Sequence, residues 1–252
     1  MRKISVMNYK GGTGKTSTTV HLAHGLARQG KSVLVIDMDP QGSVGCMLGI
    51  NSDVGVYDLL MSNMSWKECI SSARENLDII TANDRLFPAA MALAQMPRRE
   101  HVLQDKLSSL EGYDYVFVDS APSFNILNQN ALMFSDEIFM PVSMDYMSLV
   151  GVKQLLKNIQ LINQLLKKAI TVSKVIPTFY DKRNRKSEDV IASLERVFPG
   201  KLPKRPIRLC VDLSNAPSFG QTVFEYNLKS KSVVDYQQLI NEVLVNGKKN
   251  ER

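Results

Sequence analysis

The stretch Lys10-Gly11-Gly12-Thr13-Gly14-Lys15-Thr16 constrains this 252-residue chain more than any other. It follows a strand-like run at residues 2–7 and opens into an apolar pattern at Val20, Leu22, Ala23, Leu26 and Ala27 that suits a helix. A strand, a glycine loop and a helix in that order gather backbone N–H groups around one point, a nest of donors for phosphate oxygens. Gly11, Gly12 and Gly14 let the backbone come that close. Lys15 is placed to reach the β and γ phosphates, and the Thr16 hydroxyl to ligate Mg²⁺.

Two more runs repeat the theme. Ser32-Val33-Leu34-Val35-Ile36 stops at Asp37, and Tyr115-Val116-Phe117-Val118 stops at Asp119, with a third run from Glu137 to Val142. Apolar runs without polar alternation are strands covered on both faces, so the expected fold is α/β, a mostly parallel twisted sheet flanked by helices on both faces. A buried strand is expected at 171–176 and helices at 150–168, 187–198 and 232–245. Turn formers and charge make 179–187 and 199–220 loops. One domain should span residues 1–247, with a polar tail at 248–252 that frays. Asp37, Asp39, Gln41 and Asp119 fall at the carboxyl ends of strands, where ligands of open α/β sheets sit.

Composition narrows the setting. No stretch approaches the roughly 18 apolar residues of a membrane-spanning helix, and the N-terminus enters a strand rather than a signal peptide, so a cytoplasmic protein is expected. Cys46, Cys69 and Cys210 are odd in number and far apart, which suits buried free thiols rather than a disulfide framework or metal site. The net charge of +6 is unevenly spread. Residues 1–150 carry 12 Lys and Arg against 16 Asp and Glu, whereas residues 151–252 carry 19 against 9. A basic half of that size favours a polyanionic partner.

The glycine loop departs from the ordinary G-x-x-x-x-G-K-[ST] pattern, because Tyr9 stands where the first glycine would be and Lys10 follows it. In this it resembles the deviant Walker A motif of the ParA/MinD superfamily of P-loop nucleotidases, whose extra lysine reaches across a dimer interface to the partner's phosphates. Asp37-Met38-Asp39-Pro40-Gln41-Gly42 resembles the switch I of ParA proteins, and Val118-Asp119-Ser120-Ala121-Pro122-Ser123 their Walker B and switch II. The resemblance implies ATP and Mg²⁺ as ligands and an ATPase, weak alone, with Lys10, Lys15 and Asp39 catalytic; Asp39 would orient or activate the attacking water. Nucleotide would be held by Lys10 through Ser17 together with Asp119, and the metal by Thr16, Asp37 and Asp119. Thr178-Phe179-Tyr180-Asp181-Lys182-Arg183 resembles the family segment near the adenine, which makes Thr178 the expected base contact.

Within the superfamily, reductase-type iron proteins need a cysteine pair that is missing here, and the polar ending Asn246 to Arg252 lacks the amphipathic membrane helix of MinD. Asp39-Pro40-Gln41 and Ser214-Asn215-Ala216-Pro217-Ser218-Phe219-Gly220 resemble ParA instead. No helix-turn-helix extension precedes the loop, as in the short type that does not repress an operon. The resemblance implies an ATP-dependent homodimer, nucleoid-associated in the cytoplasm, that binds DNA non-specifically and partitions a plasmid or chromosome. A ParB-like partner would stimulate its hydrolysis, and no membrane would be involved. The alternatives are a positioning ATPase for a protein cluster or microcompartment, a MinD-like cell-division regulator, and a metabolic P-loop kinase. Where many relatives read I-P-R-N-V-R-L-S-E, this chain reads Ile207-Arg208-Leu209-Cys210-Val211-Asp212-Leu213-Ser214-Asn215, so two family arginines are Leu209 and Asp212. The expected DNA contacts are therefore Lys182, Arg183, Arg185 and Lys186 in one loop, Lys201, Lys204, Arg205 and Arg208 in the next, and Lys229 with Lys231.

Overall fold

In strand β2 (Val33–Asp37), Val33 and Val35 join one buried apolar cluster while Leu34 and Ile36 join another, so the strand is covered on both faces. Strand β5 (Tyr115–Asp119) does the same, with Tyr115 and Phe117 on the first side and Val116 and Val118 on the second. The period-two geometry of a strand turns an unbroken apolar run into two walls, each needing its own layer of helices.

The computed structural model describes residues 1–250, with side chains described for 1–245. Strands β1 (Arg2–Val6), β2, β3 (Ser71–Arg74), β4 (Leu77–Ile80), β5, β6 (Glu137–Ser143) and β7 (Thr171–Thr178) form one sheet in the order β3-β4-β2-β5-β1-β6-β7. All neighbours are parallel except β3, which pairs antiparallel with β4 at the edge. The register sets Asp37 beside Asp119 and Val6 beside Asp119, so the first chemical positions of three adjacent strands end at one level.

The helices are α1 (Lys15–Ala27), α2 (Ser43–Leu48), α3 (Val56–Met61), α4 (Leu86–Leu93), α5 (Val102–Lys106) and α6 (Ile126–Phe134) in the first half. Then come α7 (Tyr146–Leu165), α8 (Arg185–Val197), α9 (Val211–Asn215), α10 (Val223–Tyr226) and α11 (Lys231–Asn250). Leu22 and Leu26 of α1 pack with Leu239, Ile240 and Val243 of α11 on one face of the sheet. Leu127 of α6, Leu155 and Ile159 of α7 and Leu194 of α8 cover the other. Among the described residues no helix is long and apolar enough to cross a membrane.

Three expectations are corrected. α7 starts at Tyr146 rather than 150, because Asp145 caps it, its side chain accepting from Ser148 N at 3.1 Å. α11 runs to Asn250, past the last apolar position at Val245, and residues 251–252 of the anticipated tail lie outside the described residues. Of the three thiols only Cys69 is buried; Cys46 is exposed and Cys210 half-buried.

Candidate active site

Gly12 and Gly14 take φ values of +70° and +80°, a left-handed turn that L-residues with a Cβ resist, and Gly14 sits at the cap of α1. The loop so formed floors a cavity of about 670 Å³, lined by Gly11 through Ser17, by Asp39, Pro40 and Gln41, and by the 121–125 turn. Lys15 is 7% exposed, and its ammonium donates to the Lys10 carbonyl at 3.2 Å. Burial lowers its pKa against the raising pull of Asp119 and Asp39.

Asp119 is fully buried at the carboxyl end of β5. It accepts from the Thr16 hydroxyl at 2.7 Å and the Thr19 hydroxyl at 2.8 Å. Burial pushes its pKa to about 6, opposed by those two hydrogen bonds and by Lys15. Asp37 is equally buried, and its pKa stands well above the usual range because of burial and the neighbouring Asp119 charge. Its two oxygens accept the backbone N–H groups of Asp39 and Val44, both at 3.0 Å. Asp37 thus organises the turn that carries Asp39, and its oxygens are spent on that turn.

Asp39 lines the cavity, one oxygen accepting from Gln41 N at 3.1 Å. Gly42 closes this turn at φ +64°, where a Cβ would lie 2.6 Å from the Ala82 carbonyl. The donor set fits Mg²⁺. A threonine hydroxyl and a carboxylate already within hydrogen-bond reach are hard oxygen ligands, and two neighbouring buried carboxylates with one nearby lysine favour a divalent cation. Mg²⁺ keeps several waters and asks for no all-protein cage, so it is consistent that no three-ligand cluster occurs among the described residues.

Lys10 does not line this cavity. Its ammonium lies 2.5 and 2.6 Å from the Asp145 oxygens and 3.2 Å from the Ser148 hydroxyl. Burial would raise the Asp145 pKa, but hydrogen bonds from Lys10, Ser143 and Ser148 and the Lys10 charge bring it to about 2.

A second cavity, about 250 Å³, adjoins the first through Gly14, Ser17 and Phe179 and is walled by Met47, Ile207, Leu209, Leu213 and Tyr236. Its apolar walls beside the phosphate loop suit a flat heterocyclic base. Thr178 lines it, but its hydroxyl donates to the Thr13 carbonyl at 2.9 Å, which pins the loop rather than pointing at a base. Phe179, at φ +55°, lies over Gly14, its ring 3.6 Å from where a Cβ would be. A left-handed aromatic residue costs free energy of order 1 kcal/mol or more and persists where function holds it.

The basic residues expected on DNA separate into two groups. Lys182, Arg185, Lys186, Lys204, Arg205, Lys229 and Lys231 are exposed. Arg208 is not available: its guanidinium grips the buried Asp235 with contacts of 2.7 to 3.1 Å and donates to the Lys231 carbonyl. Arg183 is paired with Asp181 at 2.7 Å, and Lys201 donates to the Val172 carbonyl. Sequence reasoning missed Asp145 and Tyr236, and within the segment it placed near the adenine it chose Thr178 where Phe179 covers the loop. An acidic residue between the end of β6 and an apolar helical run was the available signal for Asp145; nothing local marks Tyr236, whose position at the base cavity depends on how α11 packs on α1.

A family described as "AAA domain" matches residues 1–172. The sporulation initiation inhibitor protein Soj of Bacillus subtilis is 37% identical over 249 residues, covering 97% of this chain and 98% of that protein. The chromosome partitioning protein ParA of Caulobacter vibrioides is 34% identical over 251 residues, covering 97% and 94%. Among solved structures, cobyrinic acid a,c-diamide synthase from Mycobacterium smegmatis with bound ADP and magnesium superposes with a TM-score of 0.84 at 28% identity, over 100% of this chain and 97% of that one. Apo McdA from Cyanothece superposes at 0.87 with 22% identity, over 97% and 99%, a likeness of fold.

Proposed function

The chain belongs to the ParA/Soj family of P-loop partitioning ATPases, and from that premise we propose that it closes as a homodimer over two ATP·Mg²⁺, binds DNA without sequence preference, and partitions a plasmid or chromosome. Hydrolysis, stimulated by a ParB-like partner, ends the DNA-bound state. The protein acts in the cytoplasm on the nucleoid.

Lys10 carries this reading. A lysine inside a phosphate loop that faces away from its own cavity, paired with Asp145 at the N-terminus of α7, can serve phosphates bound by a neighbour once it leaves that carboxylate. The exposed apolar side chains Phe87, Met91, Phe124, Tyr146 and Met147 belong to segments that line the cavity or hold Lys10, and such a rim favours a covering surface. Lys15 and the loop N–H groups hold the β and γ phosphates, Asp39 positions the attacking water, and the apolar cavity beside Phe179 takes the base. Thr16 and Asp119 would hold Mg²⁺, which when bound neutralises charge across the phosphate oxygens. Losing the γ-phosphate removes the anion on which two lysines converge, and with it the preference for the dimer.

Two variants test the assignment. Lys15→Ala should abolish nucleotide binding, whereas Lys10→Ala should bind ATP and fail to dimerise. Micromolar ATP affinity in Lys15→Ala, or ATP-dependent dimers of Lys10→Ala, contradicts it.

A further inference from the structure

Helix α2 borders both cavities. Its first residue, Ser43, lines the phosphate cavity together with Asp39, Pro40 and Gln41, and Met47, about one turn further on, lines the apolar cavity beside it. The helix continues directly from the turn that carries Asp39. Asp37 accepts from Asp39 N and from Val44 N, both at 3.0 Å, so one buried carboxylate fixes the turn and the start of α2 together. The other end of α2 is tied to a second wall of the apolar cavity. Arg74 of β3 donates to the Leu48 carbonyl at 3.3 Å and to the Gly220 carbonyl at 2.7 Å, while Glu225 accepts from its Nε at 2.6 Å. Gly49 and Gly220 meet backbone to backbone, where a Cβ on Gly220 would lie 2.9 Å from the Gly49 Cα. Pro217, which also lines the apolar cavity, belongs to the helical turn Ala216–Phe219 that Gly220 ends. Met47 itself is only half-buried on the core beneath it. A flexible thioether left open on its cavity side adapts to a flat ligand packed against it.

We infer that α2 is a base sensor: a nucleobase packed on Met47 sets the placement of the helix, and the contiguous turn then presents Asp39 to the water that attacks the γ-phosphate. The inference rests on the reading that the apolar cavity takes the base and that Asp39 positions water. It adds that contact with the base is expressed in the rate of hydrolysis and not only in affinity. Met47 is thereby a positioning residue, acting through the helix and the turn, and touches no reacting atom. Binding energy from a remote part of the substrate is used to assemble the catalytic constellation. A triphosphate without a base fills the first cavity and leaves Met47 uncovered, so it forfeits that ordering.

The test compares wild type, Met47→Ala and Met47→Leu, each shown to fold by circular dichroism. Phosphate release with ATP and Mg²⁺ gives kcat, and calorimetry gives the affinity for a slowly hydrolysed ATP analogue and for inorganic tripolyphosphate, which carries three phosphates and no base. Hydrogen exchange over residues 39–48, followed by mass spectrometry on samples of equal mass by light scattering, reports the turn without turnover. In Met47→Ala, kcat should fall about tenfold while affinity for the analogue weakens no more than about threefold, and Met47→Leu should restore kcat. The analogue should slow exchange over 39–48 in wild type by about threefold more than tripolyphosphate does, and Met47→Ala should lose that difference. The sensor is overturned if Met47→Ala keeps the wild-type kcat and only binds more weakly, if Met47→Leu turns over no faster than Met47→Ala, or if tripolyphosphate protects 39–48 in wild type as strongly as the analogue. An analogue that binds wild type no more tightly than tripolyphosphate overturns instead the reading that the apolar cavity takes the base, and the sensor with it.

Discussion

The Lys10 ammonium sits 2.5 and 2.6 Å from the two carboxylate oxygens of Asp145, so the second lysine of the phosphate loop is paired within its own chain. To serve a partner's phosphates it has to leave that carboxylate, and the pair opposes dimerisation. Asp145→Asn keeps the cap on α7, since asparagine caps as well as aspartate, and removes the charge. The side chains are 31% and 43% exposed, so water screens the pair and its worth stays below about 1 kcal/mol. The variant should dimerise with ATP up to about fivefold more tightly, as sedimentation velocity would measure. Weaker self-association would show that Asp145 helps the dimer instead.

Asp39→Ala removes the carboxylate at the cavity edge without touching the glycine loop or Lys15. ATP binding should persist while turnover falls by roughly 10²–10⁴, the usual range for losing a positioned acid–base group. Release of inorganic phosphate under saturating ATP reports this, and a near-normal rate would remove Asp39 from the mechanism.

Gly42→Ala should damage the turn that presents Asp39. At φ +64° any side chain is strained by about 1–2 kcal/mol, and here the new methyl would also press on the Ala82 carbonyl, which as backbone cannot swing away. A loss of roughly 2–3 kcal/mol in urea unfolding, with slower hydrolysis, is the predicted result. Wild-type stability would mean that the turn has another conformation.

The phosphate loop, the acidic strand ends and the parallel core were legible because each is written locally: glycine spacing, unbroken β-branched runs, aspartate at the run's end. Residues 51–110 were not. β4 is only Leu77–Ile80, and α3, α4 and α5 span 5 to 8 residues, too short for periodicity to speak. The start of α7 was hidden because Tyr146 and Met147 are apolar yet exposed, which breaks the amphipathic pattern. Arg208 and Arg183 illustrate a different limit. A basic residue in sequence is a count of charge, and whether the charge is free depends on partners such as Asp235, which is 27 positions away.

His21 gives the protein an acid-labile joint. It is fully buried on α1, bonded to the Ser17 carbonyl, and accepts Val223 N at 3.1 Å. Burial lowers its pKa from 6.5 to about 4. The unfolded chain therefore takes up this proton first, so the stabilisation is complete above pH 6.5 and is lost as pH falls from 6.5 toward 4. The shift corresponds to about 3 kcal/mol at most. Urea unfolding at pH 7, 6 and 5 should show the wild type losing stability relative to His21→Gln as pH falls, a difference unaffected by Asp37 and Asp119, whose raised pKa values act in the opposite direction in both proteins. Equal slopes in the two proteins would exonerate His21.

The most direct test of the account is the mass of the protein in solution by light scattering after size exclusion, with ADP and with a slowly hydrolysed ATP analogue. The account predicts single chains with ADP, twice that mass with the analogue, and single chains again for Lys10→Ala with the analogue. Single chains of the wild-type protein at saturating analogue would contradict it.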